Sequence, residues 1–284
     1  MIRILTDSTA DLLPEDLHSL SVRVVPLEVH FGDEHYEDGV DLGHEQFYEM
    51  LEQAHKLPST SQPSPERFMA EFENARDAGD DVICILLSST LSGTYQSAQI
   101  AAEEIGYDRI FLVDSHTASL AAQLLVRRAC QRVSEGWTPE EIVDDLLEAR
   151  EHLHIFAIVD TLKYLHKGGR LPTAAAIAGG LLGIKPVIGV QKGKVGLADK
   201  ARGLPGAYVA IFKQIQKVGG VDEAWPVMVG YTGKRHGVEP FIRYTTQNLH
   251  LSEPIVRPIG AVVGTHAGPG AAGIAFFSCP RQDV

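Results

Sequence analysis

The sequence predicts an α/β protein of two domains. Short apolar runs typical of buried strands alternate with amphipathic helical segments through the first half of the chain. That alternation indicates a mostly parallel sheet covered by helices on both faces. Around Tyr164–Pro172 the composition changes to Gly, Lys and small residues, and 284 residues suit two domains of roughly 150 residues each. We expect a doubly wound N-terminal domain over residues 1–165 and a smaller α/β domain with a mixed sheet over residues 166–284.

Local signals identify the elements of the first half. Ser64 and Pro65 are typical N-cap and first-turn residues and predict a helix over Pro65–Ala78. The capping-box pattern Thr138-Pro-Glu-Glu141 predicts the start of another helix. The continuous apolar run Val82–Leu87 is typical of a strand buried on both faces. The same criteria predict strands at Ile2–Leu5, Val22–Phe31, Ile110–Val113 and His154–Asp160, and helices at Pro14–Leu20, Tyr95–Ile105 and Thr117–Ser134.

Apolar runs and helical periodicity continue in the second half. Two helices are predicted there, at Pro205–Val218 and Val238–Asn248. They separate some of the predicted strands, which are Val187–Val190, Lys194–Ala198, Val227–Tyr231, Ile255–Ile259 and Gly273–Phe277. This order predicts a mixed sheet.

Composition limits the class of protein. No apolar run approaches the roughly 20 residues of a membrane span, and the N-terminus becomes polar too soon for a signal peptide. Three widely spaced cysteines are typical of buried thiols in a reducing compartment, so we expect a cytoplasmic protein. A net charge of −12 argues against nucleic-acid binding, and a structural or DNA-associated protein fits poorly.

The charge is unevenly distributed. Residues 1–57 hold 13 acidic and 3 basic side chains, whereas residues 160–202 hold 8 basic and 2 acidic ones. The basic segment is either a docking face for an acidic partner or a solvated surface with a local bias.

Five loops rich in Ser, Thr, Gly and Pro follow apolar runs: Thr6–Asp11, Thr60–Ser64, Ser88–Thr94, Asp114–Thr117 and Thr265–Gly270. Ligands of open α/β folds bind where parallel strands end, and hydroxyls beside helix N-termini favour a small anion such as a carboxylate or phosphate. Five hydroxyl residues within Ser88–Thr94 exceed what helix capping requires, which favours ligand contact. The histidine of the last loop, placed in a tight turn, is either a buried structural residue or a polar contact to the ligand.

Catalytic alternatives have weaker support. The sequence lacks a GxGxxG fingerprint after a strand, a GxxxxGK[ST] phosphate loop and a GxSxG nucleophile elbow. His152 and His154 could share a face as metal ligands, although two exposed histidines by chance are the simpler interpretation. A serine hydrolase remains the rival hypothesis, with Ser92 or Ser89 as nucleophile, His266 as base and Asp7 or Asp114 as the acid.

Seven segments together resemble the DegV family of bacterial fatty-acid-binding proteins. They occur in order over nearly the whole chain: Ile4–Asp11, Thr60–Pro65, Leu91–Ser97, Val113–Ser115, Lys167–Leu171, Gly183–Pro186 and Gly264–Gly270. The resemblance implies a two-domain fold with a long-chain fatty acid buried between the domains and no other cofactor or metal. It also implies a carrier rather than an enzyme.

By this resemblance, Thr60 and Ser92 hold the carboxylate, with help from His266 and with Ser61 as a neighbour. Some family members present the acyl chain to a fatty acid kinase that makes an acyl phosphate for phospholipid synthesis, and Arg170 matches a kinase-docking position. Ala174–Gly183 with Ile184, Val187 and Ile188 could line the tunnel for the tail, or could be ordinary core. We expect the Asp7–Thr9 and Asp114–Ser115 segments to shape the domain.

Overall fold

A computed structural model describes residues 1–172, 183–251 and 253–279. Its first layer is a parallel sheet of four strands in the order β2-β1-β6-β7. These strands are β1 (Ile2–Asp7), β2 (Val22–Val25), β6 (Asp81–Leu86) and β7 (Ile110–Asp114). Side chains of β6 are buried on both faces, as the apolar run predicted. The α/β fold class is therefore confirmed for the N-terminal part.

Helices cover both faces of the parallel sheet. One face packs against α3 (Pro65–Ala78) and α4 (Thr94–Ile105), and the other against α5 (Ser119–Ser134) and α6 (Pro139–Ala149). The predicted capping box is present, because the Thr138 and Glu141 side chains each bond the other residue's backbone. Helix α1 (Pro14–Leu20) joins β1 to β2. The doubly wound arrangement predicted from the sequence is thus confirmed.

The prediction of a single strand over Val22–Phe31 is wrong. Two strands occur instead, in two different sheets, and the break between them contains Pro26, whose nitrogen has no hydrogen to donate to a sheet. The second of them, β3 (Glu28–Phe31), joins β4 (Glu34–Glu37) and β5 (Ser59–Ser61) in a three-stranded antiparallel sheet. The segment between β4 and β5 contains α2 (His44–Gln53), which the sequence analysis missed.

The second large sheet has six strands in the order β10-β9-β8-β13-β11-β12, and it is mixed, as predicted. The only parallel pair within that order is β11 with β12. Its strands are β8 (Leu153–Ile158), β9 (Ile184–Gln191), β10 (Lys194–Arg202), β11 (Met228–Tyr231), β12 (Ile255–Pro258) and β13 (Ala272–Phe277). Helices described after β8 are α7 (Lys163–Lys167), α8 (Gly203–Lys217), α9 (Glu239–Asn248) and α10 (Ala261–Ala267).

The prediction that His154–Asp160 closes the parallel series is wrong. Strand β8 instead pairs antiparallel with β9 and β13, because its hydrogen-bonding edges meet strands from the second half of the chain. The chain therefore passes from the parallel sheet to the six-stranded sheet before Leu153. The domain boundary between residues 165 and 166 stays a prediction. Helix α5 contacts both large sheets and joins the two parts through one apolar core.

In the described ranges, no helix has both the length and the apolar character needed to cross a membrane.

Candidate functional site

An apolar cavity lies between the six-stranded sheet and the loops that end the parallel strands. Alternation along β8 turns Ile155 and Ala157 toward the cavity, while Phe156 and Ile158 pack against α8 and α9 on the opposite face. Polar side chains at the cavity wall include Thr60, Ser92, Arg170 and His266. The site therefore combines a long apolar wall with a few polar groups, which is typical of a site for an amphiphilic ligand.

Small residues widen this cavity across the sheet. The strand register places Ile188, Ala157, Gly273 and Gly230 side by side on β9, β8, β13 and β11. Because three of these four residues are Gly or Ala, the sheet itself projects few side-chain atoms along this row, and Leu120 and Ile259 pack over Gly230. All four line the cavity.

Thr60 and His266 form the central polar pair. The Thr60 hydroxyl lies 3.0 Å from Nε2 of His266. Thr60 belongs to β5 and pairs with the fully buried Val29 of β3, which fixes its direction. Sequence reasoning placed His266 in a tight turn, and this is wrong, because His266 lies in the last turn of α10 and the turn begins at Gly268.

The environment of His266 keeps its ring neutral. Burial, together with the nearby Arg170 guanidinium, lowers the pKa of His266 to about 4. Its Nδ1 is buried and has no hydrogen-bond partner among the residues that the structure describes. This nitrogen lies against Gly168, where an added Cβ would be only 2.2 Å from it. A neutral imidazole can accept or donate one hydrogen bond at each nitrogen according to its tautomer.

Ser61 lies on the opposite side of β5 from Thr60. Its hydroxyl donates to Oε2 of Glu28 at 3.1 Å and lies 2.9 Å from Nε2 of His30. Adjacent residues of a strand point to opposite faces, which explains the separation. Ser61 is absent from the described cavity wall.

Ser92 lies in the loop between β6 and α4 and reaches the cavity. Its Oγ accepts from the Thr94 amide at 3.3 Å and lies 2.9 Å from the Thr94 hydroxyl. The Gln62 side chain occupies the space beside Gly93, with its Oε1 2.1 Å from the position of an added Cβ. The loop after β5 and the loop after β6, both singled out from the sequence, are therefore packed together.

The other hydroxyls of the Ser88–Thr94 loop have structural partners. Ser88 and Thr90 hydroxyls lie 3.0 Å apart, and Thr90 also donates to the Gly193 carbonyl at 2.5 Å. The Ser89 amide contacts both carboxylate oxygens of Asp114 at 3.3 Å. Within this loop, Ser92 is the hydroxyl residue that lines the described cavity.

Arg170 follows α7 and is half-buried at the cavity wall. Its Nε donates to the Leu91 carbonyl at 3.0 Å, and its Nη1 donates to the Gly168 carbonyl at 2.6 Å. Burial lowers the pKa of Arg170, although a guanidinium remains charged at neutral pH. Sequence reasoning associated Arg170 with docking and missed its place in the cavity wall.

The remaining predicted residues have varied positions. Asp7 accepts from the Thr9 amide and hydroxyl and from the Leu87 amide, and so organises the loops after β1 and β6. Of the candidate tunnel residues, Ile188 lines the cavity, whereas Val187 packs with α8 on the other face. Residues 174–182 lie outside the described part of the chain.

His154 is not arranged as a metal ligand. Its Nε2 lies 3.1 Å from the Ser278 hydroxyl, its ring stacks on Phe156, and burial lowers its pKa to about 4. Across the described ranges, no group of three or more His, Cys, Asp or Glu side chains could hold a metal ion.

Comparison with known sequences identifies the family of this chain. A family model described as an uncharacterised protein of the DegV family matches residues 1–278. A DegV domain-containing protein of Deinococcus radiodurans is 39% identical over 279 residues, covering 97% of this chain and 98% of the relative. A counterpart from Caldanaerobacter subterraneus is 37% identical over 276 residues, with 97% and 98% coverage.

Solved structures show the same fold. A DegV family protein from Thermus thermophilus, described with fatty acid binding, matches with a TM-score of 0.89 and 33% identity, covering 98% of this chain and 99% of that one. DegV from Bacillus subtilis, described as a fatty acid binding protein, matches with a TM-score of 0.85 and 30% identity over 98% and 99% of the two chains. This chain therefore belongs to the DegV family.

Proposed function

We propose that this protein binds a long-chain fatty acid, with the acyl tail in the apolar cavity and the carboxylate at Thr60, Ser92 and His266. The observation that supports this most directly is one cavity with an apolar wall and a small polar group that includes a neutral imidazole. Fatty acid binding by the Thermus thermophilus and Bacillus subtilis relatives agrees with the proposal.

The tail supplies most of the binding free energy. Transfer of each methylene from water to an apolar cavity contributes about 0.8 kcal/mol. The row of Ala157, Gly273 and Gly230 provides space for a chain that crosses the sheet strands. A ligand without a long apolar part would leave that surface uncovered.

The head group needs only a few donors. Hydrogen bonds to an ionised carboxylate are roughly twice as strong as neutral ones. Thr60 and Ser92 can each donate a hydroxyl hydrogen, and His266 has one nitrogen without a described partner. Arg170 adds positive charge nearby, while two of its nitrogens already donate to backbone carbonyls.

Bound lipid tests the proposal directly. Protein purified from a bacterial host is extracted with organic solvent, and the extract is analysed by mass spectrometry. We expect a long-chain fatty acid, and the Thr60→Ala, Ser92→Ala double variant should retain less of it. An extract without fatty acid, combined with no uptake of added hexadecanoic acid, contradicts the proposal. Unchanged affinity in the double variant contradicts the head-group assignment alone.

We further propose that the bound carboxylate is presented to a fatty acid kinase, and that Arg170 takes part in docking. Lys163 and Lys167 of α7 are exposed close to Arg170 along the chain, so an acidic partner surface would meet several positive charges. The chemistry would then belong to the partner, and this chain would act as a carrier.

Two readouts separate docking from lipid binding. Acyl phosphate formation with a fatty acid kinase is measured beside fatty acid affinity. Lys167→Glu should lower acyl phosphate formation and leave affinity unchanged, and Arg170→Ala should lower formation more than affinity. Arg109, which pairs with Asp81 outside the cavity wall, provides the control variant Arg109→Ala. An equal fall in both readouts for Arg170→Ala would identify a structural residue instead.

The hydrolase alternative has less geometric support. In the described residues, Nε2 of His266 pairs with the Thr60 hydroxyl, and the Ser92 hydroxyl pairs with Thr94. A nucleophile and its base normally lie within hydrogen-bond reach of each other. Ester turnover that Ser92→Ala abolishes would support the hydrolase.

A further inference from the structure

The helix that holds His266 begins between the buried side chains of two aspartic acids. The Gly260 amide donates to Oδ1 of Asp11 at 2.8 Å, and the Ala261 amide donates to Oδ1 of Asp38 at 2.9 Å. Asp11 is 6% exposed and Asp38 is 5% exposed. Amides of the first turn have no partner within a helix, so these acids satisfy donors that would otherwise be unpaired.

The fit around Gly260 leaves little freedom. A Cβ added at Gly260 would lie 3.0 Å from Oδ1 of Asp11 and 3.2 Å from Oδ1 of Asp38. The second oxygen of Asp11 accepts from the Ser119 hydroxyl at 2.5 Å, and Ser119 lines the cavity. The backbone therefore passes closely between two acids, one of which is tied to the cavity wall.

Helix α2 holds the same segment from another side. Tyr48 donates its hydroxyl to the Ile259 carbonyl at 3.2 Å, and Nδ1 of His44 lies 2.9 Å from that carbonyl. Tyr48 also packs against Gly264, where an added Cβ would be 2.3 Å from its hydroxyl oxygen. This contact packs α10 closely against α2.

We propose that Asp38, together with Asp11, positions His266 for the carboxylate by anchoring the start of α10. His266 lies five residues after Ala261, about 7.5 Å along the helix axis, so a displacement of the first turn is transmitted to the ring. Asp38 touches neither the proposed ligand nor His266 and acts through the helix. The proposal rests on the fatty acid function for its consequence, while the placement of His266 can be measured without ligand.

Two measurements on delipidated full-length protein test this role. Titration of the His266 ring by NMR reports its burial, and calorimetry with hexadecanoic acid reports affinity. Asp38→Ala should raise the pKa of His266 toward the ordinary 6.5 and lower the affinity about tenfold, the loss expected from one displaced hydrogen bond. Asp38→Asn keeps an oxygen for the Ala261 amide and should restore both values.

A matched control separates the effect of Asp38 on the position of His266 from the general effect of removing a buried acid. Asp80 is 4% exposed and binds Arg3 and the N-terminal amine, so Asp80→Ala should change neither measurement. If Asp38→Ala does not fold, the same two measurements are made on Asp38→Glu. Its longer side chain displaces the carboxyl group from the Ala261 amide while keeping the acid.

The outcomes are distinct. Lower affinity with an unchanged His266 titration overturns the positioning role, and so do two unchanged values. Wild-type protein that binds no hexadecanoic acid overturns the proposed function, and the titration of His266 then decides the positioning role alone.

Discussion

Gly168 faces His266 so closely that a single methyl group would test the head-group geometry. The residue ends α7 with φ −73° and ψ −4°, a conformation that alanine adopts without strain. A Cβ at this position would lie 2.2 Å from Nδ1 and 2.9 Å from Cε1 of His266. Ordinary contact begins near 3.4 Å, so the ring must move by about 1 Å in Gly168→Ala.

The size of the effect follows from the contacts of the ring. His266 lies 3.0 Å from the Thr60 hydroxyl on its other side, and a 1 Å displacement breaks or distorts that pair. A lost hydrogen bond costs about 0.5–1.5 kcal/mol, and an unsatisfied buried group about 1–3 kcal/mol. We therefore expect fatty acid affinity to fall by about tenfold to a hundredfold, at 1.4 kcal/mol for each factor of ten.

Calorimetry with hexadecanoic acid on delipidated protein measures this loss. Gly237→Ala is the matched control, because it adds the same methyl group where no heavy atom lies within 4 Å. Melting temperatures of both variants show whether the fold is intact. Affinity of Gly168→Ala within twofold of the wild type, with an unchanged melting temperature, would refute the role assigned to His266.

Two more variants probe the buried acids and the tail cavity. Burial raises the pKa of Asp11 to about 8 from 3.8, so the folded state binds this proton more tightly than the unfolded chain does. The stability that Asp11 contributes is therefore present at low pH and is lost as pH rises toward 8. Thermal melts should show the melting temperature of Asp11→Asn rising relative to that of the wild type between pH 5 and pH 8. A pH-independent difference between the two melting temperatures would contradict this. At Gly230, an added Cβ would lie 2.6 Å from Ile259 Cδ1 and 2.7 Å from Leu120 Cδ1, both in the cavity wall. Gly230→Val should then weaken binding of octadecanoic acid more than of tetradecanoic acid in the same calorimetric assay, and equal losses would argue against a tail at this position.

Elements with local signals were predictable from the sequence. Ser64-Pro65 and the Thr138–Glu141 box mark helix starts through contacts within a few residues, and both helices begin as predicted. Strand β8 has an equally clear apolar pattern, but that pattern does not specify a pairing partner. The sequence therefore predicts the wrong sheet for β8, since its partners are β9, about 30 positions away, and β13, more than a hundred positions away.

In the candidate site, too, local sequence patterns were informative and contacts between distant residues were not. Thr60 and Ser61 were treated together, although period-two alternation in an extended segment already implies that only one of them can face the cavity. The short helix α10 was not predictable, because Gly264 in its interior disfavours an isolated helix of seven residues. Contacts with Asp11, Asp38 and Tyr48 stabilise it, and these become apparent only in the folded chain.

Arg170 connects the lipid cavity with the proposed docking face, and its contacts suggest how one residue can serve both. Its Nε and Nη1 are engaged by the carbonyls of Leu91 and Gly168, which fixes the guanidinium beside the ring of His266. Burial, together with this cation, lowers the pKa of His266 to about 4, so the imidazole is neutral at neutral pH when a carboxylate is absent. A free guanidinium would bind the carboxylate bidentately and hold it firmly. With two nitrogens already donating to the backbone, Arg170 would attract the carboxylate of the proposed ligand while leaving its oxygens within reach of the proposed kinase.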